Sequence, residues 1–87
     1  MGSSDEKRFF YHGKAIRHFR EEAGLTQEQL ALTIEKGHLS EISRMESGDA
    51  NPNYSTIANV ADGLGIPVSR IFSLGEAYAE SRKKPNK

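Results

Sequence analysis

Glycines at positions 24, 37, 48 and 65, with the "DANPN" stretch at 49–53, divide this chain at short intervals. Glycine stops helices and opens turns because it alone takes a positive φ at no steric cost. The segments left between these breaks are too short for long helices, and their apolar residues recur with helical period. Five short helices result, with no convincing strand and no internal repeat.

The second segment carries the strongest local signal. In "TQEQ" Thr26 stands at an N-cap and Gln29 follows three residues later, which is a capping box. Glu28 falls in the first turn, where the helix dipole favours an anion. Leu30, Ala31 and Ile34 form a narrow inward stripe. In the first helix, starting at about Arg8 or Lys14 and ending at Glu22, Ile16 and Phe19 share a face. After the turn "EKGH", Leu39, Ile42 and Met45 step by three along a third helix, with Ser40, Glu41 and Arg44 on its other side. Asn53 is a good N-cap for the fourth, in which Ile57, Val60, Ala61 and Leu64 repeat at i, i+3, i+4 and i+7. A fifth begins after "IPVS" with Ile71 and Phe72, and Gly75 weakens its continuation through Tyr78 by roughly 1 kcal/mol.

Two short helices joined by a tight turn, the second polar on one face and apolar on the other, form a helix-turn-helix. The first sets the angle of the second, whose polar face fits the major groove of DNA. The sequence in and around this motif resembles the lambda-repressor-like helix-turn-helix family, which includes Cro and many bacterial regulators. The residues that carry the resemblance are "IRHFREEAGLTQEQLALTI", "EISRMESGDANPNYSTIANVADGLGIPVSRIF" and their order, from about Lys14 to Phe72.

The resemblance implies an all-α, five-helix DNA-binding domain with the helix-turn-helix formed by helices two and three. It also implies operator binding as a homodimer. The domain is expected over residues 8–80, between a disordered segment at 1–7 and a basic disordered tail at 81–87. Roles follow position by position. Gln27 would touch a phosphate at the start of helix two and help position a base-reading side chain. Ser40, Ser43 and Arg44 match groove-facing positions, and Asn51 and Asn53 lie in the loop beside the DNA backbone. Arg20 and Glu46 match a structural pair tying helix one to helix three, so breaking it would leave a partly buried charge.

The turn departs from the family pattern by one extra residue. Counted forward from Gln27, His38 and Leu39 take the first two reading positions; counted back from Glu46, Leu39 and Ser40 do. The backward count is preferred, because Ile42, Met45 and Glu46 anchor the helix. Lys36, Gly37, His38 and Leu39 are the residues it leaves open, Lys36 and His38 being candidate contacts. A second departure is His12, where the family more often has an apolar residue.

Each candidate has a plainer reading. Arg44 is either a reader of guanine O6 and N7 or a solvated surface residue, and Glu41 either accepts from a cytosine amino group or is a surface acid. Leu39 is read first as core, from its spacing to Ile42, and alternatively as a contact to a thymine methyl. His38 is a phosphate contact or an ordinary surface histidine.

Net charge argues the other way. Twelve basic and twelve acidic residues cancel, whereas nucleic-acid binders are often basic. Lys7, Arg8, Lys14, Arg17 and Arg20 near the start and "RKKPNK" at the end restore local positive charge, and the tail would add salt-sensitive phosphate contacts. The runner-up is therefore a protein-interaction module using the same fold without sequence-specific DNA binding.

The remaining classes lack equipment. With no cysteine there is no disulfide or thiolate metal site. His12, His18 and His38 have the wrong spacing for a metal, and no cofactor or small-molecule effector is evident. No nucleophile–base pair, phosphate-binding glycine loop or catalytic carboxylate pair is visible, so an enzyme is not expected. The "NYS" sequon at Asn53 reads as a cap. No apolar run approaches the ~18 residues of a membrane helix, and no signal-peptide pattern follows the N-terminus, so a cytoplasmic protein without membrane contact is expected. A domain of this size is marginally stable and gains from a partner copy. Apolar residues of helix five, Ile71, Phe72, Leu74 and Tyr78, are the candidate dimer surface.

Overall fold

The computed structural model describes residues 10–34, 37–50 and 52–83, in which five α-helices and no strand occur. They are α1 (Phe10–Glu22), α2 (Gln27–Thr33), α3 (Leu39–Ser47), α4 (Tyr54–Leu64) and α5 (Val68–Lys83). The last helix runs three residues past 80, where the sequence places the end of the domain.

Local chemistry sets the boundaries. Thr26 Oγ1 accepts from the Gln29 N–H at 3.0 Å, and Gln29 Oε1 accepts from the Thr26 N–H at 2.8 Å, so the capping box is closed in both directions. That matters for a helix of seven residues, which could not hold its shape alone. Asn53 caps α4 by accepting from the Thr56 N–H at 2.9 Å. Gly24, Gly48 and Gly65 end α1, α3 and α4 at φ of 75°, 90° and 72°.

The core is apolar and continuous. Ile16 of α1, Leu30 of α2, Ile42 and Met45 of α3, Ile57 and Val60 of α4, and Ile71 of α5 are each at most 2% exposed. Every helix contributes, so α2 and α3 are held by the other three rather than by each other alone. Burying such side chains is worth roughly 1.5–3 kcal/mol apiece.

α1 and α5 form the most extensively packed pair, and two glycines permit close approach. A Cβ on Gly13 would fall 2.0 Å from the Met45 carbonyl oxygen, so α1 lies directly on the α3 backbone. A Cβ on Gly75 would lie 2.8 Å from the His12 ring. Gly75 therefore has a packing role besides its cost in helix propensity. α5 continues through it to Lys83, and the His12 ring occupies the space a side chain there would need. His12 is 1% exposed and meets the Phe72 ring edge-on at 4.8 Å, so an imidazole is part of the packing between α1 and α5.

Candidate nucleic-acid interface

α3 is divided by burial along its length. Ile42, Met45 and Glu46 are buried against the body, whereas Leu39, Ser40, Glu41, Arg44 and Ser47 are exposed and Ser43 is half-buried. At 3.6 residues per turn, Ser40, Ser43, Arg44 and Ser47 point opposite the buried stripe. Leu39 lies on the flank shared with Glu46, and Glu41 on the other flank. There Glu41 borders a cleft of about 280 Å³ with Thr56 and Asn59 of α4. Ser47 is an outward residue that the sequence reading passed over; the i+3 and i+7 spacing from Arg44 and Ser40 is the signal that finds it.

The helix begins at Leu39, with His38 extended just ahead of it and making no side-chain cap bond. Leu39 is 45% exposed, which corrects its reading as a core residue.

The elements are locked together at the opposite end of α3. Arg20 donates from Nε to Glu46 Oε2 at 2.8 Å and from Nη2 to Glu46 Oε1 at 2.9 Å, a bidentate pair. Arg20 also donates from Nη1 to the Leu25 carbonyl at 2.7 Å. Gln27 Nε2 donates to Glu46 Oε1 at 3.0 Å. One carboxylate therefore joins the end of α1, the start of α2 and the end of α3. Hydrogen bonding to Glu46 raises the Arg20 pKa above its already high ordinary value, against the lowering effect of burial; attraction to Glu46 and Glu21 adds to the rise. Because its pKa is raised, Arg20 stays charged until the pH rises past its ordinary high value, and on the basic side the pair's contribution is lost only as pH passes through the raised one.

The Gln27 link has a consequence for its expected role. One of its two amide protons is committed inward, leaving the second, together with the backbone N–H groups that open α2, for a phosphate. Asn53 likewise uses its amide oxygen as a cap, leaving only the NH2 group outward. Lys36 and Asn51 lie outside the described residues.

Positive charge is scarcer than the sequence suggests. Arg20 is spent on Glu46, and Arg17 donates to Glu21 at 3.1 Å on the exposed side of α1. Among the described residues no ion pair involves Arg44.

The candidate dimer face changes most. Ile71 is 0% exposed within its own protomer and is removed from the candidate surface, because its spacing marks core and not interface. Phe72 sits between His12 and Tyr54, whose ring stacks on it at 5.7 Å and 8°. Leu74 and Tyr78 are half-buried against the core.

Among the described residues no helix is long and apolar enough to cross a membrane, and no cluster of three or more His, Cys, Asp or Glu could hold a metal.

Comparison with known proteins points the same way as the geometry. The helix-turn-helix family pattern matches residues 16–71, from the core of α1 to the start of α5. The chain is similar to an immunity repressor protein of Bacillus phage phi105, at 40% identity over 81 residues covering 86% of this chain. It spans about half the length of that relative, 54%. No solved structure gives a match. On its sequence match and on five helices that place a half-polar α3 behind a capped α2, the chain belongs to the lambda-repressor-like helix-turn-helix family of DNA-binding proteins.

Proposed function

We propose that the protein is a repressor-type transcriptional regulator that lays α3 in the major groove of an operator. The observation that carries this is the division of α3: three residues locked into the body, and Ser40, Ser43 and Arg44 opposite them on a helix slim enough for the groove. The similarity to a phage immunity repressor supports the repressor assignment. Reading begins at Leu39, Arg44 bonds a guanine, and Ser40 and Ser43 contact neighbouring bases. Glu41, on the flank toward α4, excludes bases rather than selecting them. The start of α2 at Gln27, with Lys36, His38, Asn51 and Asn53, supplies the backbone contacts.

Two copies would read two half-sites of a palindrome about 34 Å apart. Of the α5 residues, Leu74 and Tyr78 retain area for a second copy. A monomer in sedimentation at high micromolar concentration, without DNA, would refute the homodimer and leave the groove-reading role standing.

Selection of bound sites from a random duplex pool tests the function directly. A half-site should emerge, and Arg44→Ala should lose about 1–3 kcal/mol at one base pair while others keep their preference. The second reading, a protein-interaction module, is favoured by one observation: Arg17 and Arg20 are each paired with a carboxylate of the same chain, Arg17 at the surface and Arg20 in the interior. A pool that enriches no motif, with binding indifferent to Arg44, would establish it instead.

Asn53 separates fold from contact. Asp caps a helix as well as Asn, so Asn53→Asp should leave unfolding stability within a few tenths of a kcal/mol. It replaces an outward NH2 donor by a carboxylate oxygen, so operator affinity should fall by about tenfold, the worth of one charged hydrogen bond. Unchanged affinity in a titration would remove Asn53 from the backbone contacts.

A further inference from the structure

We infer that Leu39 determines specificity by seating on the 5-methyl group of a thymine, an inference that rests on the groove-reading role of α3 proposed above. Leu39 is the first residue of α3 and 45% exposed. The other large apolar residues that are exposed among those described lie elsewhere: Leu32 on α2, and Tyr54 stacked on Phe72. Leu39 is thus an exposed apolar residue at the head of α3, on the flank beside the outward Ser40, Ser43, Arg44 and Ser47.

Two polar side chains expected at this interface, Gln27 and His38, leave the start of α3 to Leu39. Gln27 turns its amide nitrogen to Glu46 Oε1 at 3.0 Å, at the end of α3 opposite Leu39. Leu39 has no side-chain atom that can hydrogen-bond, so the start of α3 presents hydrocarbon. His38, just before it, is exposed and has extended backbone, and its side chain makes no capping bond.

The major-groove edges of the four bases carry donors, acceptors and one apolar group, the thymine methyl. Leucine pressed on an adenine or guanine N7, or on a cytosine amino group, strips water from that group and returns no hydrogen bond. Against thymine it buries a methyl on hydrocarbon. Attraction and penalty both select thymine, and the base lies at the end of the half-site where α3 enters. Arg44, five residues further along the helix, reads a different base pair.

The test replaces each thymine of the selected operator by deoxyuridine, which removes the methyl and leaves the hydrogen-bonding edge intact. At one position per half-site the affinity should fall about fourfold, the worth of one buried methyl group, with the other positions unaffected. In Leu39→Ala, which leaves the core untouched, that position should become insensitive to uracil. Leu39→Gln should exchange the thymine preference for adenine, through paired bonds to N6 and N7. An operator with no uracil-sensitive position overturns the inference, and so does sensitivity that survives in Leu39→Ala. Both leave the groove-reading role intact. A pool that enriches no operator overturns that role and this inference together.

Discussion

Replacing Glu46 by Ala is expected to cost about 3 kcal/mol of unfolding stability, a large part of the ~4–13 kcal/mol usual for a domain of this length. The carboxylate is buried, its side chain 3% exposed, and it accepts from Arg20 twice and from Gln27 once. Removing it leaves a guanidinium with an 11% exposed side chain without its main partner. The cost is set at the low end of the range for a broken buried pair for two reasons. Arg20 keeps the Leu25 carbonyl, and Glu21 stands 3.8 Å away and can take up part of the charge. Glu46→Gln retains the shape and one acceptor, so about half of the loss is expected there.

The double variant Arg20→Met with Glu46→Leu removes both charges and puts hydrocarbon in their volume, and it should recover most of the loss. Urea unfolding of the four proteins measures this. A Glu46→Ala protein within 1 kcal/mol of the parent would show that Arg20 reaches solvent at little cost and that the pair does not hold the helices. The same variant frees Gln27, so operator affinity should fall by more than the folded fraction accounts for. That excess separates a role in placing α2 and α3 from a role in stability alone.

The pair shows what could be read before any coordinates existed. Arg20 and Glu46 are 26 residues apart, and neither periodicity nor charge pattern joins them; the family resemblance does. The helix breaks, the capping box and the core stripes were legible from local rules, because capping chemistry and helical period act within one or two turns. Gln27 was legible as a residue at the start of α2, but not its bond to Glu46, because that contact depends on how α2 sits across the end of α3. Ile71 and Leu39 show the same limit in opposite directions. Both were apolar residues at helical spacing, and the sequence placed Ile71 on a surface and Leu39 in the core. The structure reverses them. Which side of a short helix faces the body follows from the angle at which it crosses its neighbours, and spacing alone does not contain that angle.

The crossing of α1 and α3 in turn depends on Gly13, and Gly13→Ala is the second large effect. In an ordinary helix interior this change gains up to about 1 kcal/mol, since glycine is the poorer helix former. Here the added Cβ would sit 2.0 Å from the Met45 carbonyl oxygen and 2.9 Å from its carbon. Those are backbone atoms in the last turn of α3, held by Ile42, Met45 and Glu46 in the core, so no side chain can rotate to make room. The two helices have to separate by more than an ångström, which opens the packing around Ile16 and draws Arg20 off Glu46. A loss of about 3 kcal/mol is expected, at the upper end for overpacking. Gly63→Ala is the control. Its Cβ would meet Thr33 Oγ1 at 2.7 Å and Ile34 Cγ1 at 3.0 Å, which are side-chain atoms that can move. Thermal or urea unfolding should therefore rank Gly13→Ala far below Gly63→Ala. If the two are equal, or if Gly13→Ala stabilises, α1 does not lie on the α3 backbone at this distance. The angle of the reading helix would then have to be set through α2 and the Arg20–Glu46–Gln27 junction.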